Sequence, residues 1–339
     1  MNKEINLLIT VPLDEDQLIR LNELSDELTI THMPAETADD ISDEIWERSE
    51  ILYTFRILPE LEKVPNLCWM QSYLAGLDNL VDNPLLNDEK VSVTSMSGAN
   101  AIQVSEHAIA LLLALLRQIP LMDELKHDSK WPDNKGVIFS PQELRDSTVG
   151  IVGYGAIGRE VARILKAFGA NIVASKSDLK KPAYEGYLKD GLGDPEGELF
   201  ARLYPPQALQ TMFAECDHVI ITTPLTPKTK NLIGKKQLGA LKQHSCLVNV
   251  SRGAVIDESA LLTALLEGKI HGAGLDVFVE EPLPENHPFY EIPNMIISPH
   301  IAGFSAHYRD RAFDLFMENL TRYIAGDDLF NLFDQKRGY

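Results

Sequence analysis

Three side chains capable of acid–base and anion-binding chemistry, Arg252, Glu281 and His300, each follow an apolar run typical of a buried strand. Open α/β sheets bind ligands at the carboxyl ends of their strands, so these side chains are predicted to share one edge. A guanidinium binds a carboxylate through two parallel hydrogen bonds. A carboxylate beside an imidazole fixes its tautomer and favours the imidazolium, which makes the two a general acid–base pair. We therefore expect Arg252 to hold a substrate carboxylate while His300, tuned by Glu281, gives a proton to a ketone oxygen.

Each of these residues also has a structural explanation when it is taken alone. Arg252 could bridge two elements, Glu281 could cap the turn at Pro282, and His300 could be a satisfied histidine of the core. For a single residue the structural explanation is favoured. The presence of all three at strand ends of one sheet favours a reaction centre.

A glycine-rich turn lies between the apolar run 149–152 and the helical run 156–168. It has the pattern G-x-G-x-x-G and consists of Gly153, Tyr154, Gly155, Ala156, Ile157 and Gly158. The first glycine permits the tight turn, the second lets the backbone approach a pyrophosphate, and the third lets the helix pack on the strand. The pattern predicts dinucleotide binding, with a purely structural glycine turn as the alternative.

The residues after the next strand, 171–174, predict which dinucleotide is bound. An acidic side chain at this position accepts hydrogen bonds from the ribose of NAD, whereas a basic one accommodates the 2′-phosphate of NADP. The strand ends in Ser175, Lys176 and Ser177, and a lysine between two hydroxyls suits a phosphate dianion. NADP(H) is therefore the favoured cofactor and NAD(H) the second choice. The alternative is that Lys176 is a solvated surface lysine.

Alternating apolar runs and helical stretches predict an α/β fold. The predicted strands are 5–11, 28–31, 51–55, 67–71 and 91–94 in a first block, then 149–152, 171–174, 219–222, 247–250, 274–278 and 295–298 in a second. The six strands of the second block, with helical crossovers, predict a doubly wound dinucleotide-binding sheet. Long helical segments at 104–119 and 306–325 bracket this block, so it is predicted to be inserted into the first. Segment 178–203 lacks periodicity and is predicted to be a functional or mobile loop.

The domain boundaries that follow are 1–103 plus 302–339 for a substrate domain and 104–301 for the dinucleotide-binding domain. We expect both to be Rossmann-like or flavodoxin-like.

Composition excludes several classes of protein. The chain has 339 residues, with 31 Lys and Arg against 50 Asp and Glu and a net charge of −19, which argues against nucleic-acid binding by a broad basic face. The longest apolar run, 108–116, is about half of a membrane span. The first residues lack the features of a signal peptide. Three scattered cysteines favour a reducing cytoplasm, and the absence of zinc spacing predicts no metal.

Several further motifs occur in a fixed order along the chain. They are YLAGLD at 73–78, VSEHA at 104–108, TPLTPKT at 223–229, NVSRG at 249–253, DE at 257–258, GLDVF at 274–278, EP at 281–282, PHIAG at 299–303 and the terminal GY at 338–339. Together with the glycine turn, they make the sequence similar, over nearly its whole length, to the D-isomer-specific 2-hydroxyacid dehydrogenases.

The resemblance implies a role for each matching residue. The catalytic residues would be Arg252, Glu281 and His300, and the backbone of Leu74, Ala75 and Gly76 would join Arg252 and His300 in binding the substrate. Asp276 would contact the nicotinamide carboxamide. Besides the glycine turn and residues 175–177, the implied cofactor-binding residues are Thr223, Pro224, Thr229, Val250, Ser251, Arg252, Asp276, His300 and Gly303. The resemblance also implies two α/β domains and a homodimer, with the helix after residue 104 in the dimer contact.

The chain departs from most of this family at residues 175–177. The NAD-using majority has an acidic residue at this strand end, whereas this chain has Ser, Lys and Ser. The replacement is similar to that in NADPH-using glyoxylate/hydroxypyruvate reductases. We expect a cytoplasmic reductase of short 2-oxoacids that yields D-2-hydroxyacids. One alternative is a short-form 3-phosphoglycerate dehydrogenase, although residues 72–79 supply none of the extra basic residues it would need. Another is a dinucleotide-sensing binding protein similar to transcriptional corepressors.

Overall fold

The computed structural model describes residues 4–339, and the expectation about the start of the chain rests partly on residues 1–3, which lie outside that part. Two compact units are formed: one by residues 4–100 and Ala306–Tyr339, the other by Ala101–Ser305. The predicted α/β class, with one unit inserted into the other, is confirmed. The division between the units falls at residues 100/101 and 305/306, and the domain boundaries at 103/104 and 301/302 stay predictions.

The first unit is a parallel sheet covered by helices. In chain order its first elements are β1 (Ile5–Ile9), α1 (Glu15–Asn22), β2 (Leu28–His32), α2 (Asp43–Arg48), β3 (Ile51–Thr54), β4 (Trp69–Ser72), α3 (Pro84–Asn87) and β5 (Ser92–Thr94). Within the described residues the strands pair in the order β2-β1-β3-β4-β5, all parallel. The helix α1 begins at Asp14, whose side chain accepts a hydrogen bond from Gln17 N while the Gln17 side chain reaches back to Asp14 N.

The second unit is a larger parallel sheet with helices on both faces. Its elements are α4 (Ala101–Leu116), α5 (Ile119–His127), α6 (Lys135–Ile138), β6 (Thr148–Val152), α7 (Ala156–Ala167), β7 (Asn171–Ser175), β8 (Arg202–Tyr204), α8 (Leu209–Glu215), β9 (His218–Ile221), α9 (Lys235–Leu238), β10 (Cys246–Asn249), α10 (Glu258–Leu266), β11 (Gly272–Leu275) and β12 (Met295–Ile297). Over residues 101–305 the strand order is β12-β11-β10-β9-β6-β7-β8.

Burial on both faces explains why the strands of the second unit are continuous apolar runs. Side chains alternate between two cores: in β9, Ile220 packs into one core and its neighbours Val219 and Ile221 into the other. The chain then returns to the first unit as α11 (Tyr308–Ala325), where Phe316 stacks on Tyr53 of β3 at 4.1 Å between ring centroids. The helix ends at Gly326, which has a left-handed φ of 76°.

Two predictions about elements were wrong. The strand β8 was missed, because it is a three-residue edge strand that contains a charged residue and follows an irregular segment. The sheet of the second unit therefore has seven strands where six were predicted. The predicted helix 104–119 is α4, which begins and ends three residues earlier, and a second helix, α5, follows it. Gln118 separates the two helices because its left-handed φ of 55° breaks the helical path.

Candidate active site

The glycine turn connects β6 to α7, and its three glycines differ in their surroundings. Gly153 has a φ of +100°, and a Cβ there would lie 2.7 Å from the Thr223 backbone. A Cβ on Gly158 would lie 2.2 Å from the oxygen of Gly153, so the helix could not pack as closely. By contrast, nothing lies within 4 Å of the Cβ position of Gly155. The turn therefore leaves open space at its second glycine, beside the helix N-terminus whose N–H groups suit a pyrophosphate.

The end of β7 adjoins this turn. Gly153 N and Tyr154 N both donate to Ser175 O, at 3.1 Å each. The Ser175 side chain is buried, whereas Ser177 is exposed. Lys176 Nζ donates to the carbonyl oxygens of Lys181 and Ala183. Burial lowers the pKa of Lys176, and the Arg159 charge lowers it further.

The turn after β9 is closed by Thr229. Its hydroxyl donates to Pro224 O at 2.6 Å and accepts from Thr226 N at 2.7 Å. Thr222 Oγ1, one residue before Thr223, donates to Gly153 O at 2.7 Å. These contacts fix the segment from Thr223 to Thr229 beside the glycine turn.

Arg252 lies in the turn that follows β10, which Asn249 organises. The Asn249 side chain accepts from Ser251 N at 3.0 Å and from the Ser251 hydroxyl at 2.8 Å, and it donates to Arg252 O at 3.0 Å. Val250 and Ser251 are buried by this arrangement, whereas Arg252 stays partly exposed. The next residue, Gly253, packs on the backbone of a neighbouring segment: a Cβ there would lie 1.9 Å from the carbonyl carbon of Phe278.

This close approach places Arg252 next to the segment that carries Glu281. Glu281 Oε1 accepts from Phe278 N at 2.9 Å, so the carboxylate is tied to the same backbone on which Gly253 packs. Glu281 Oε2 lies 2.6 Å from His300 Nδ1. A carboxylate can only accept, so Nδ1 carries the hydrogen of this bond. The predicted pair of Glu281 and His300 is thus in contact, with the imidazole side chain 47% exposed.

Asp276 is the anchor of the segment that carries His300. It is 1% exposed, and its carboxylate accepts from Ser298 Oγ at 2.5 Å, Ile301 N at 2.9 Å and Ala302 N at 3.0 Å. His300 N donates to Asp276 O at 2.9 Å, and His300 adopts a left-handed φ of 54°. The carboxylate therefore holds the turn that presents the imidazole.

His107 of α4 completes this anchor and was not predicted as a site residue. Its Nε2 lies 2.9 Å from Ser298 Oγ. Since the only proton of the hydroxyl goes to Asp276, His107 Nε2 is the donor. The same turn is also held at Gly303, whose oxygen accepts from Gln103 Nε2 at 3.1 Å. The sequence motif at 104–108 contains His107, but nothing in its spacing indicates Ser298 as the partner.

The predicted substrate-binding residues Leu74, Ala75 and Gly76 lie in the first unit, after β4. Leu74 N donates to Ser72 Oγ at 3.1 Å, and Leu74 O accepts from Met96 N at 2.9 Å. Tyr308 of α11 donates its hydroxyl to Tyr73 O at 2.9 Å. These contacts hold the turn within its own unit.

A family model described as D-isomer specific 2-hydroxyacid dehydrogenase, NAD binding domain, matches residues 109–302, more than half of the chain. The chain belongs to this family. It is thus an oxidoreductase with an NAD(P)-binding Rossmann domain that acts on small 2-oxoacids and 2-hydroxyacids. Within residues 4–339, no helix is long and apolar enough to span a membrane.

Three similar proteins illustrate the range of the family. A glyoxylate reductase from Korarchaeum cryptofilum is 34% identical over 280 residues, which cover 81% of this chain and 78% of that protein. A D-3-phosphoglycerate dehydrogenase from Methanocaldococcus jannaschii is 28% identical over 95% of this chain and 58% of that protein. The structure of a D-isomer specific 2-hydroxyacid dehydrogenase from Xanthobacter autotrophicus, in complex with NADPH and MES, matches with a TM-score of 0.78 and 25% identity, covering 99% of this chain and 100% of that one.

Proposed function

We propose that this dehydrogenase reduces short 2-oxoacids such as glyoxylate or hydroxypyruvate to 2-hydroxyacids of D configuration, with NADPH as the preferred cofactor. The observation that carries the proposal is the contact between His300 Nδ1 and Glu281 Oε2, at 2.6 Å, on the edge of the sheet where the glycine turn lies. The glyoxylate reductase from K. cryptofilum supports the substrate class.

The roles of the three side chains follow from their contacts. Glu281 holds the hydrogen on His300 Nδ1, so in the imidazolium the other nitrogen, Nε2, gives a proton to the carbonyl oxygen of the substrate. Arg252 binds the substrate carboxylate through its paired N–H groups and polarises the carbonyl. The nicotinamide cofactor, when bound, supplies the hydride. The participation of Leu74, Ala75 and Gly76 in carboxylate binding stays a prediction.

Several residues fit a nicotinamide dinucleotide. The space at Gly155 and the N-terminus of α7 accommodate the pyrophosphate, and Lys176 suits the 2′-phosphate of NADPH. Thr223, Pro224, Val250, Ser251 and Asp276 are the proposed contacts of the nicotinamide side. Lys176→Asp should raise KM for NADPH about tenfold or more and KM for NADH little, and equal use of both cofactors by the wild type would contradict the preference.

A substrate panel tests the reaction. NADPH and NADH oxidation is followed at 340 nm with glyoxylate, hydroxypyruvate, pyruvate and longer 2-oxoacids. Glu281→Gln should lower kcat about a hundredfold because the imidazolium loses its charged partner, while the matched variant of its exposed neighbour, Glu280→Gln, should leave kcat unchanged. Equal kcat values for the two variants would refute the proposed role of Glu281.

A second candidate reaction is oxidation of 3-phosphoglycerate, since the M. jannaschii enzyme aligns over 95% of this chain. The same absorbance assay, run in the oxidative direction with 3-phosphoglycerate and D-glycerate, separates the two reactions. NADP+ or NAD+ reduction with 3-phosphoglycerate at a kcat/KM above that of D-glycerate would favour this second candidate.

We also propose a cytoplasmic homodimer. Four apolar side chains of the segment 119–139 are exposed: Ile119, Met122, Trp131 and Val137, the last two at 83% each. An apolar surface of this kind suits burial against a second copy. Sedimentation velocity should give about twice the chain mass for the wild type and the chain mass for Trp131→Asp combined with Val137→Asp.

A further inference from the structure

The connection between β7 and β8, residues 176–201, is irregular along its whole length, yet it is bound tightly to the glycine turn and α7. A doubly wound sheet usually makes this connection with a helix. Here residues 176–201 contain neither helix nor strand. We call these residues the crossover. Its contacts with α7 replace the packing that a helix would provide.

Arg159, the first residue after the glycine turn, lies under the crossover. It is fully buried, and its two terminal nitrogens donate to the carbonyl oxygens of Pro182 and Asp194. The guanidinium carbon also lies 4.8 Å from the ring centroid of Tyr154 and 5.3 Å from that of Tyr184. Burying a guanidinium is costly unless donors and charge find partners, so these contacts require the crossover to stay in place.

The glycine turn itself contributes a second tie to the crossover. Tyr154 donates its hydroxyl to Asp194 Oδ2 at 2.6 Å, and Asp194 also accepts from Glu198 N at 2.9 Å and Leu199 N at 3.0 Å. Burial, followed by this hydrogen bond to Asp194, raises the pKa of the Tyr154 hydroxyl, which therefore stays a donor. The side chain of the second turn residue thus faces the crossover.

Three consecutive carbonyl groups of the crossover link the two cations. The oxygens of Lys181 and Ala183 accept from Lys176 Nζ, and the oxygen between them, that of Pro182, accepts from Arg159. The middle carbonyl is bound by one cation and its two neighbours by the other, so segment 181–183 lies between the two side chains. Moving Arg159 therefore moves the carbonyls that hold the Lys176 ammonium.

We propose that Arg159 is a positioning residue for cofactor choice: through segment 181–183 it fixes the Lys176 ammonium where the 2′-phosphate of the dinucleotide binds. This inference rests on the proposed binding of NADPH. Lys176 has three donors, of which two are on carbonyl oxygens, and the third is available for a phosphate oxygen. Discrimination between the two dinucleotides then depends on a residue that touches neither of them.

Nucleotide fragments test the inference without turnover. Isothermal titration calorimetry measures the binding of adenosine 2′,5′-bisphosphate and of adenosine 5′-monophosphate, which lacks the 2′-phosphate. Arg159→Met should weaken the bisphosphate about tenfold and the monophosphate less than about threefold, because only the 2′-phosphate loses its cation. Lys166→Met, which removes an exposed charge of the same helix, should change neither affinity.

Asp194→Asn is a milder variant in case Arg159→Met does not fold, because it leaves the guanidinium in place. It weakens the hydrogen bond from Tyr154, so the preference for the bisphosphate over the monophosphate should fall, as in Arg159→Met. Arg159→Lys should retain part of that preference. Equal losses for both nucleotides, or a wild type that binds the bisphosphate no better than the monophosphate, would overturn the inference. Failure of the proposed reaction would appear instead in the 2-oxoacid panel, with the nucleotide affinities intact.

Discussion

The sheet of the second unit has a histidine paired with a carboxylate at the carboxyl ends of its strands and another such pair at their amino ends. We call these two sides of the sheet the carboxyl edge and the amino edge. At the carboxyl edge His300 Nδ1 lies 2.6 Å from Glu281 Oε2, and at the amino edge His244 Nε2 lies 3.0 Å from Asp217 Oδ1. The two pairs have the same chemistry, but they differ in what else the carboxylate binds.

Asp217 is occupied by structural contacts. It accepts from Lys242 Nζ at 2.7 Å and from Thr148 N at 2.7 Å in addition to His244. Burial alone would raise the pKa of Asp217, but these hydrogen bonds bring it down to about 2. The amino-edge pair therefore joins the starts of neighbouring strands. The residue types of a histidine–carboxylate pair therefore do not show whether it is catalytic. The pair is a candidate for catalysis when it lies at the carboxyl edge, where open α/β sheets bind their ligands.

The comparison is tested most directly by equivalent substitutions in the two pairs. His300→Gln should lower kcat by a factor on the order of a hundred to ten thousand, since the proton donor is lost. His244→Gln should leave kcat within about twofold, because a glutamine can still donate to Asp217. Steady-state kinetics with the preferred 2-oxoacid measures both, and a comparable loss in His244→Gln would contradict the distinction between the edges.

A smaller loss of kcat is expected when the packing between the Arg252 turn and the Glu281 segment is disturbed. A Cβ in Gly253→Ala would lie 1.9 Å from the Phe278 backbone, so the Arg252 turn must separate from the Glu281 segment. We expect kcat to fall about a hundredfold, because the carboxylate-binding and proton-donating groups no longer meet the same substrate. Gly136→Ala, where nothing lies within 4 Å of the new methyl, is the matched control. Normal kcat in Gly253→Ala would show that this close approach is dispensable.

How much the sequence could predict differs along the cofactor-binding side of the sheet. Arg252, Glu281 and His300 each lie a few residues after a buried strand, so the apolar pattern was enough to place them at one edge. The ties of Arg159 could not be predicted, because its carbonyl partners lie 23 and 35 residues along the chain in a segment without periodicity. Every residue has a backbone carbonyl, so the residue types do not indicate which carbonyl accepts a hydrogen bond. The strand β8 was missed for a related reason, since its position depends on how the crossover ends.

At the amino edge, the buried histidine His218 should make the free energy of unfolding depend on pH. Burial, together with the charges of His244, His271 and Lys242, lowers the pKa of His218 to about 4, and the Asp217 charge opposes this only in part. Between pH 6.5 and 4 the unfolded chain therefore binds a proton that the folded chain does not, and the free energy of unfolding falls as pH falls.

At pH 5 this difference amounts to about 2 kcal/mol relative to pH 7. Urea unfolding of the wild type and His218→Asn at both pH values isolates the contribution, because other titrating groups are common to the two proteins. The wild type should lose about 2 kcal/mol more than the variant. Equal losses would mean that His218 is not held neutral in the folded state.

The smallest effect concerns the second histidine of the carboxyl edge. In Ser298→Ala the Asp276 carboxylate loses the hydroxyl donor at 2.5 Å, and His107 Nε2 loses its acceptor at 2.9 Å. The backbone donors of Ile301 and Ala302 remain, so the turn that carries His300 should loosen without unfolding. We expect kcat to fall about tenfold with KM for the 2-oxoacid nearly unchanged, since proton delivery depends on the imidazole position more than substrate binding does.

Ser298→Thr keeps a hydroxyl on the same atom and should recover most of the loss. A purely structural role for Ser298 would instead lower the melting temperature of Ser298→Ala and leave kcat of the folded fraction intact. A change in KM alone would also contradict the proposed chain from His107 through Ser298 and Asp276 to the His300 turn. That chain distinguishes the carboxyl edge from the amino edge, because here the buried polar contacts hold an exposed imidazole in place, whereas at the amino edge they hold only the strands.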